Sequence, residues 1–236
     1  RMTDDHYDRY FRHFDPDLYD PRQWARMAKA AGMKYAVMTA KHHEGFCMFD
    51  SQYTDYRCTN TPAGRDLIRE YVEAFRAEGL RVGFYYSLID WHHPDFTVDM
   101  LHPRRDDPEA QSLNQGRNMK RYAQYMRDQV TELLTNYGKI DILINNAGMS
   151  DSKPITDYTS DHFEKIMKLN VGAAMNCIMP TVKIMKEQGG GCILNTSSMV
   201  SICGQPSGVA YPVSKSAVNG MTWSLARELG PSNIRV

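Results

Sequence analysis

Tyr137-Gly138-Lys139-Ile140-Asp141-Ile142-Leu143-Ile144-Asn145-Asn146-Ala147-Gly148 is the stretch on which the fold of this chain turns. Tyr137 and Gly138 end a helix, Ile140 to Ile144 form a short aliphatic strand, and Asn145 to Gly148 make a polar turn. A β-branched run of this length suits a parallel strand covered on at least one face. On both sides of it helix and strand alternate strictly, the pattern of an α/β protein with a parallel sheet.

Upstream, Asp20-Pro21 opens a helix striped by Trp24, Met27, Ala28 and Ala31, with the Asp as cap and the Pro at the first helical position. A strand over 34–40 runs into Lys41-His42-His43-Glu44-Gly45-Phe46. A helix over 66–77, a strand over 81–87 and the loop Leu88-Ile89-Asp90-Trp91-His92-His93 follow. Residues 94–116 form a long polar connection, of a length usually reserved for function, and 119–137 read as helix. Downstream, Ser160 or Asp161 caps a helix that Pro180 is expected to kink or break. Gly189-Gly190-Gly191 turns into the strand Cys192-Ile193-Leu194-Asn195, 214–229 is helix, and 234–236 begins another strand.

The 236 residues carry 28 basic and 28 acidic side chains, a balance that argues against nucleic-acid or membrane partners by bulk charge. No window holds the roughly 18 apolar residues of a membrane span. The charged residues 1–8 do not read as a signal peptide, and both ends read as truncated, so a cytoplasmic location is expected. Five cysteines without a CxxC spacing read as free thiols in a reducing compartment.

Polar residues gather after strands, where parallel α/β sheets carry their sites. His42, His43 and Trp91 suit a sugar-binding edge of hydroxyl-bonding imidazoles and a stacking indole. No metal is expected, because adjacent residues of an extended segment point to opposite sides and His42 and His43 could not share an ion. Tyr211 and Lys215 lie four apart on a helix, hence on one face. An ammonium beside a phenol favours the ionised phenol, the setting of a general acid/base.

The runs Ala31-Gly32-Met33-Lys34-Tyr35, Thr39-Ala40-Lys41-His42-His43-Glu44-Gly45-Phe46, Gly83-Phe84-Tyr85-Tyr86-Ser87 and Asp90-Trp91 give residues up to about 143 a resemblance to the α-L-fucosidase family of glycoside hydrolases. The resemblance implies a (β/α)8-type barrel, retaining hydrolysis by two carboxyls, and fucose contacts from His42 and His43. It also places Asn146 where that family has its nucleophilic Asp, with no counterpart for the acid/base residue. A second resemblance begins at about residue 140. Asn145-Asn146-Ala147-Gly148, Asn170, Asn195-Thr196-Ser197-Ser198, and Tyr211 with Lys215 are similar to the short-chain dehydrogenase/reductase family. It implies catalytic roles for Asn170, Ser198, Tyr211 and Lys215, and NAD(P) contacts from Asn145, Gly148 and Lys215. That family's Thr-Gly-x-x-x-Gly-x-Gly turn does not occur in this sequence, so the cofactor site it implies is incomplete.

The expected architecture is one sequential parallel sheet of four to five strands, half of a barrel (1–138) spliced to the C-terminal half of a Rossmann-type dehydrogenase (139–236). The expected function is that of a hybrid short of either parent's full activity. Its best-preserved site is the Asn/Ser/Tyr/Lys tetrad for NAD(P)-dependent oxidoreduction of an alcohol or carbonyl. The alternatives are a fucosidase-type or fucose-binding remnant and an inactive folded scaffold. A small molecule is the expected ligand, and a homodimer through the uncovered sheet face the expected assembly.

Overall fold

A computed structural model of the protein describes residues 4–99 and 102–236. The chain divides into two compact units, Arg1–Gly138 and Lys139–Val236.

In the first unit, α1 (Asp4–Phe11) precedes α2 (Pro21–Ala30), whose N-terminus is capped by Asp20 accepting the Gln23 N–H at 3.0 Å. β1 (Tyr35–Lys41) leads through an irregular loop to α3 (Leu67–Ala77), capped by Asp66, and then to β2 (Arg81–Tyr86). β1 and β2 pair in parallel from Tyr35 opposite Arg81 to Lys41 opposite Tyr86. α3 turns Ile68, Tyr71, Val72 and Phe75 into a core with Ala25, Ala40, Phe49 and Leu133. Burying each large member stabilises by roughly 1.5–3 kcal/mol. The long connection holds a short α4 (Ala110–Leu113), and α5 (Met119–Tyr137) has the bounds read from the sequence. The Tyr137 hydroxyl donates to Asp66 Oδ2 at 2.6 Å, tying the end of α5 to the cap of α3.

The second unit opens with β3 (Ile142–Asn145) and continues with α6 (Ser160–Met167), capped by Thr159 rather than Ser160 or Asp161. A π-helical turn, Lys168–Gly172, joins α6 to α7 (Ala173–Glu187). β4 (Gly191–Asn195), α8 (Val200–Cys203), α9 (Ala210–Leu229) and β5 (Ile234–Arg235) complete it. The three strands are parallel in the order β3-β4-β5. Ile178, Met185, Ile193, Leu229 and Ile234 form the core, with Leu143 packed against it. On the other face Ile142, Ile144 and Leu194 are 44%, 51% and 55% exposed.

Two expectations need correction. The strands form two sheets, β1-β2 and β3-β4-β5, not one sequential sheet. Within the second sheet the expected sequential order holds, with β3 and β4 paired at four consecutive positions and Ile178 and Met185 of α7 buried in the core against them. Pro180 does not break its helix: α7 runs through it. Pro180 sits on the exposed side, while Ile178, Thr181 and Met185 bury residues before and after it. The alternation of helix and parallel strand stands as read. All five cysteines are free thiols, and burial pushes that of Cys47 up to about 12. Among the described residues no helix is long and apolar enough to cross a membrane.

Candidate functional site

In the second unit the polar side chains collect past the ends of β3 and β4. Asn170 lies in the π-turn, 3% exposed. Its Oδ1 accepts the Met149 N–H at 2.8 Å, and its Nδ2 donates to Met149 O at 3.0 Å and Ser214 Oγ at 2.9 Å. Lys215 is 4% exposed and donates from Nζ to Thr196 O at 2.7 Å. The same Nζ sits 5.8 Å from the centroid of the Tyr211 ring, the helical spacing realised on the first turns of α9. Burial lowers the Lys215 pKa by desolvating its ammonium. Gly148 closes the group: a Cβ there would stand 3.2 Å from Asn170 Oδ1 and 3.5 Å from Lys215 Nζ.

Gly148, Asn170, Tyr211 and Lys215 are therefore brought together. Ser198 is held in the turn before α8, its Oγ accepting the Val200 N–H at 3.4 Å, and no hydrogen bond joins it to the other three. Asn145 donates from Nδ2 to Asn195 Oδ1 at 2.8 Å, bridging the ends of β3 and β4. The Tyr211 hydroxyl has no hydrogen-bond partner among the described residues. An acid/base hydroxyl needs that freedom to meet a substrate oxygen.

In the first unit His42, His43 and Trp91 also stand together. The His42 and His43 rings lie 4.2 Å apart and His43 packs edge-on to Trp91 at 5.3 Å. This corrects the expectation that the two imidazoles point apart: the chain has left β1 and is turning at His43-Glu44, so strand alternation no longer applies. Among the described residues no group of three or more His, Cys, Asp or Glu could hold a metal ion. His43 shares a hydrogen of unassigned direction with Ser87 Oγ at 2.6 Å, and His42 Nδ1 is 3.3 Å from Glu44 Oε2. Desolvation, then the neighbouring His42, lowers the His43 pKa and favours a neutral ring. Beneath them Lys41 Nζ meets Asp90 Oδ2 at 2.9 Å, both side chains buried, and lies 4.7 Å from the Tyr86 ring centroid. Asp90 Oδ1 accepts the N–H groups of His92 and His93 at 3.2 and 2.9 Å, which shapes the loop holding Trp91.

The sequence reading missed Asp90 as the partner of Lys41 and Ser214 as the partner of Asn170. A lysine that ends one strand, followed 49 residues later by an aspartate in the loop just past the next strand, was the available signal for the first. Nothing in the spacing of Ser214, one residue before Lys215, marks it as facing Asn170.

Two units, each with parallel strands and polar side chains past their carboxyl ends, define an α/β protein. The chain belongs to the α-L-fucosidase family: the family model Alpha-L-fucosidase matches residues 2–189, beyond the expected limit near 143. Its fold is similar to alpha-L-fucosidase isoenzyme 1 from Paenibacillus thiaminolyticus, with a TM-score of 0.59 and 54% identity over 71% of this chain and 40% of that one. It is also a hybrid. A 3alpha-hydroxysteroid dehydrogenase of Mediterraneibacter gnavus is 54% identical over 148 residues, 62% of this chain and 59% of that protein. A putative alpha-L-fucosidase 1 of Oryza sativa subsp. japonica is 34% identical over 151 residues, 63% of this chain and 25% of that protein. The chain thus spans less than two thirds of each of these relatives.

Proposed function

We propose that this chain is half of a (β/α)8-type barrel (1–138) spliced to the C-terminal half of a Rossmann-type dehydrogenase (139–236), and that its preserved chemistry is oxidoreduction of a secondary alcohol or ketone with NAD(P). The observation that carries this reading is the convergence of Gly148, Asn170, Tyr211 and Lys215. The hydroxysteroid dehydrogenase relative suggests a 3α-hydroxysteroid as substrate. The residues present fit the nicotinamide-ribose end of the cofactor: Gly148 leaves a space beside Lys215 Nζ that a Cβ would fill. Lys215 and Asn145 would line that end, and the bound cofactor would supply acceptance or donation of a hydride.

Tyr211 takes the proton of the substrate hydroxyl in oxidation and returns it to the carbonyl oxygen in reduction. Lys215 sets its desolvated ammonium 5.8 Å from the centroid of the Tyr211 ring, beside the proposed site of proton transfer. Asn170, locked by Met149 and Ser214, fixes the floor of the group. Ser198, whose Oγ accepts the Val200 N–H, would bond the substrate oxygen. The reading puts activity below that of either parent, a cytoplasmic location, and a homodimer through the open face of Ile142, Ile144 and Leu194.

Incubating the chain with a 3α-hydroxysteroid and NAD⁺ or NADP⁺ at millimolar concentration, while following reduced cofactor, tests it. Slow turnover that falls at least about a hundredfold in Tyr211→Phe is expected, with no release of nitrophenol from an aryl α-L-fucoside. Equal rates with and without the Tyr211 hydroxyl, or turnover of the fucoside, would overturn it. A second reading, fucose binding by the first unit, rests on the packed His42, His43 and Trp91 rings. Calorimetric titration with fucose, with and without His43→Ala, separates it from the first.

A further inference from the structure

Residues 151–162 run from the loop after β3 into the first turn of α6 and carry none of the tetrad. They nevertheless hold the backbone that enters Tyr211. The Tyr158 hydroxyl accepts the Ala210 N–H at 3.0 Å. Lys153 O accepts the Gly208 N–H at 2.9 Å. Gln205 Nε2 donates both to Asp151 O at 2.8 Å and to Gly208 O at 2.7 Å, and Gly208 O in turn accepts the Tyr211 N–H at 3.2 Å. The first N–H groups of a helix have no partner within it. Val209, before α9, has no side chain to cap them, so Tyr158 supplies the cap from another segment.

The approach of the two segments is very close. Gly208 has φ +82°, and a Cβ on it would overlap Asp151 O. Asp151 is itself fixed: Oδ1 accepts the Lys153 N–H at 3.1 Å and faces His162 Nε2 at 3.0 Å, and its side chain is 3% exposed. His162 packs edge-on against Tyr158 at 5.1 Å, so the carboxylate, the imidazole and the capping phenol form one support.

We infer that Tyr158, supported by Asp151 and His162, is a positioning residue for Tyr211: it sets where the acid/base hydroxyl stands by capping the helix that carries it. The inference rests on the oxidoreductase reading for its catalytic consequence, though not for its structural content. The test uses the whole chain and two variants. Tyr158→Phe removes one hydroxyl without changing the packing. Gly208→Ala pushes the same joint from the opposite side.

Hydrogen exchange read by mass spectrometry should show faster exchange confined to peptides covering 208–212, about tenfold in Tyr158→Phe, with the rest of α9 protected as before. Steroid oxidation should lose about tenfold in kcat with KM unchanged, whereas a loss of global stability alone would spread exchange over the unit. Unaltered exchange at 208–212 in both variants would overturn the inference whatever the assay gives. A chain without Tyr211-dependent turnover, but with the local exchange change, would instead sink the oxidoreductase reading and leave the positioning role standing.

Discussion

Among the described residues each unit buries one lysine at the end of its strands, and the two are held differently. Lys41 has a carboxylate, Asp90, at 2.9 Å and a tyrosine ring over its ammonium. Lys215 has a backbone carbonyl, Thr196 O, at 2.7 Å, and burial lowers its pKa. A fully paired buried charge is costly to disturb and ill suited to exchanging protons. A buried amine without a counter-charge holds its proton loosely and can tune a neighbour. The first lysine is part of the frame under His43 and Trp91, and the second is buried beside Tyr211 without a paired carboxylate among its hydrogen bonds.

The largest expected effect follows from breaking the paired lysine. Lys41→Met leaves Asp90 buried without its cation and should destabilise the first unit by about 3–5 kcal/mol, read by urea unfolding. Adding Asp90→Asn should restore most of that loss; failure to do so would mean that the aromatic contacts, not the charge pair, carry the stability. The matching change in the second unit should be mild. Lys215→Met loses one hydrogen bond and one desolvation penalty, so stability should stay within about 1 kcal/mol while alcohol oxidation collapses. A loss as large as that of Lys41→Met would erase the distinction between the two lysines.

The smallest effect is one of pH, and the units should differ in where it acts. Burial lowers the pKa of His43 and His93 from 6.5. The unfolded chain then binds more protons than the folded one below that value. The stability of the first unit should be complete above pH 6.5 and fall as the pH drops towards the lowered values. For Lys215 the same linkage runs at the alkaline end: stability of the second unit should rise as the pH climbs past the lowered value towards 10.5. Thermal melts across the pH range, with His43→Gln and Lys215→Met as controls, assign each slope to its unit.

The sequence was most informative where a local rule acts alone. α5 could be bounded from its apolar spacing, with Gly138 closing it, and Tyr211 and Lys215 shared a face because the helical period demands it. The limits of each sheet were not legible: the sequential order holds for β3-β4-β5, but nothing in Ile140 to Ile144 marks where one sheet ends and the next begins. His42 and His43 misled for a related reason: a strand's alternation stops where the chain turns, and the residue types do not mark that point. The tetrad residues were named as a set by resemblance, and only Ser198 among them draws its hydrogen bond from its own turn, accepting the Val200 N–H.

The π-turn at Lys168–Gly172 has a meaning for comparing sequences. Ile166, Asn170, Ala174 and Ile178 are all buried, at steps of four residues. An uninterrupted α-helix advances about 100° per residue, so steps of four drift about 40° each time. The wider winding of the π-turn takes up that drift and keeps Asn170 in phase with the apolar residues on both sides. In effect it is a single-residue insertion retained in the helix. An alignment that runs through 168–172 without a gap, against a relative whose helix is regular, shifts every inward position on one side of Asn170 onto the wrong face.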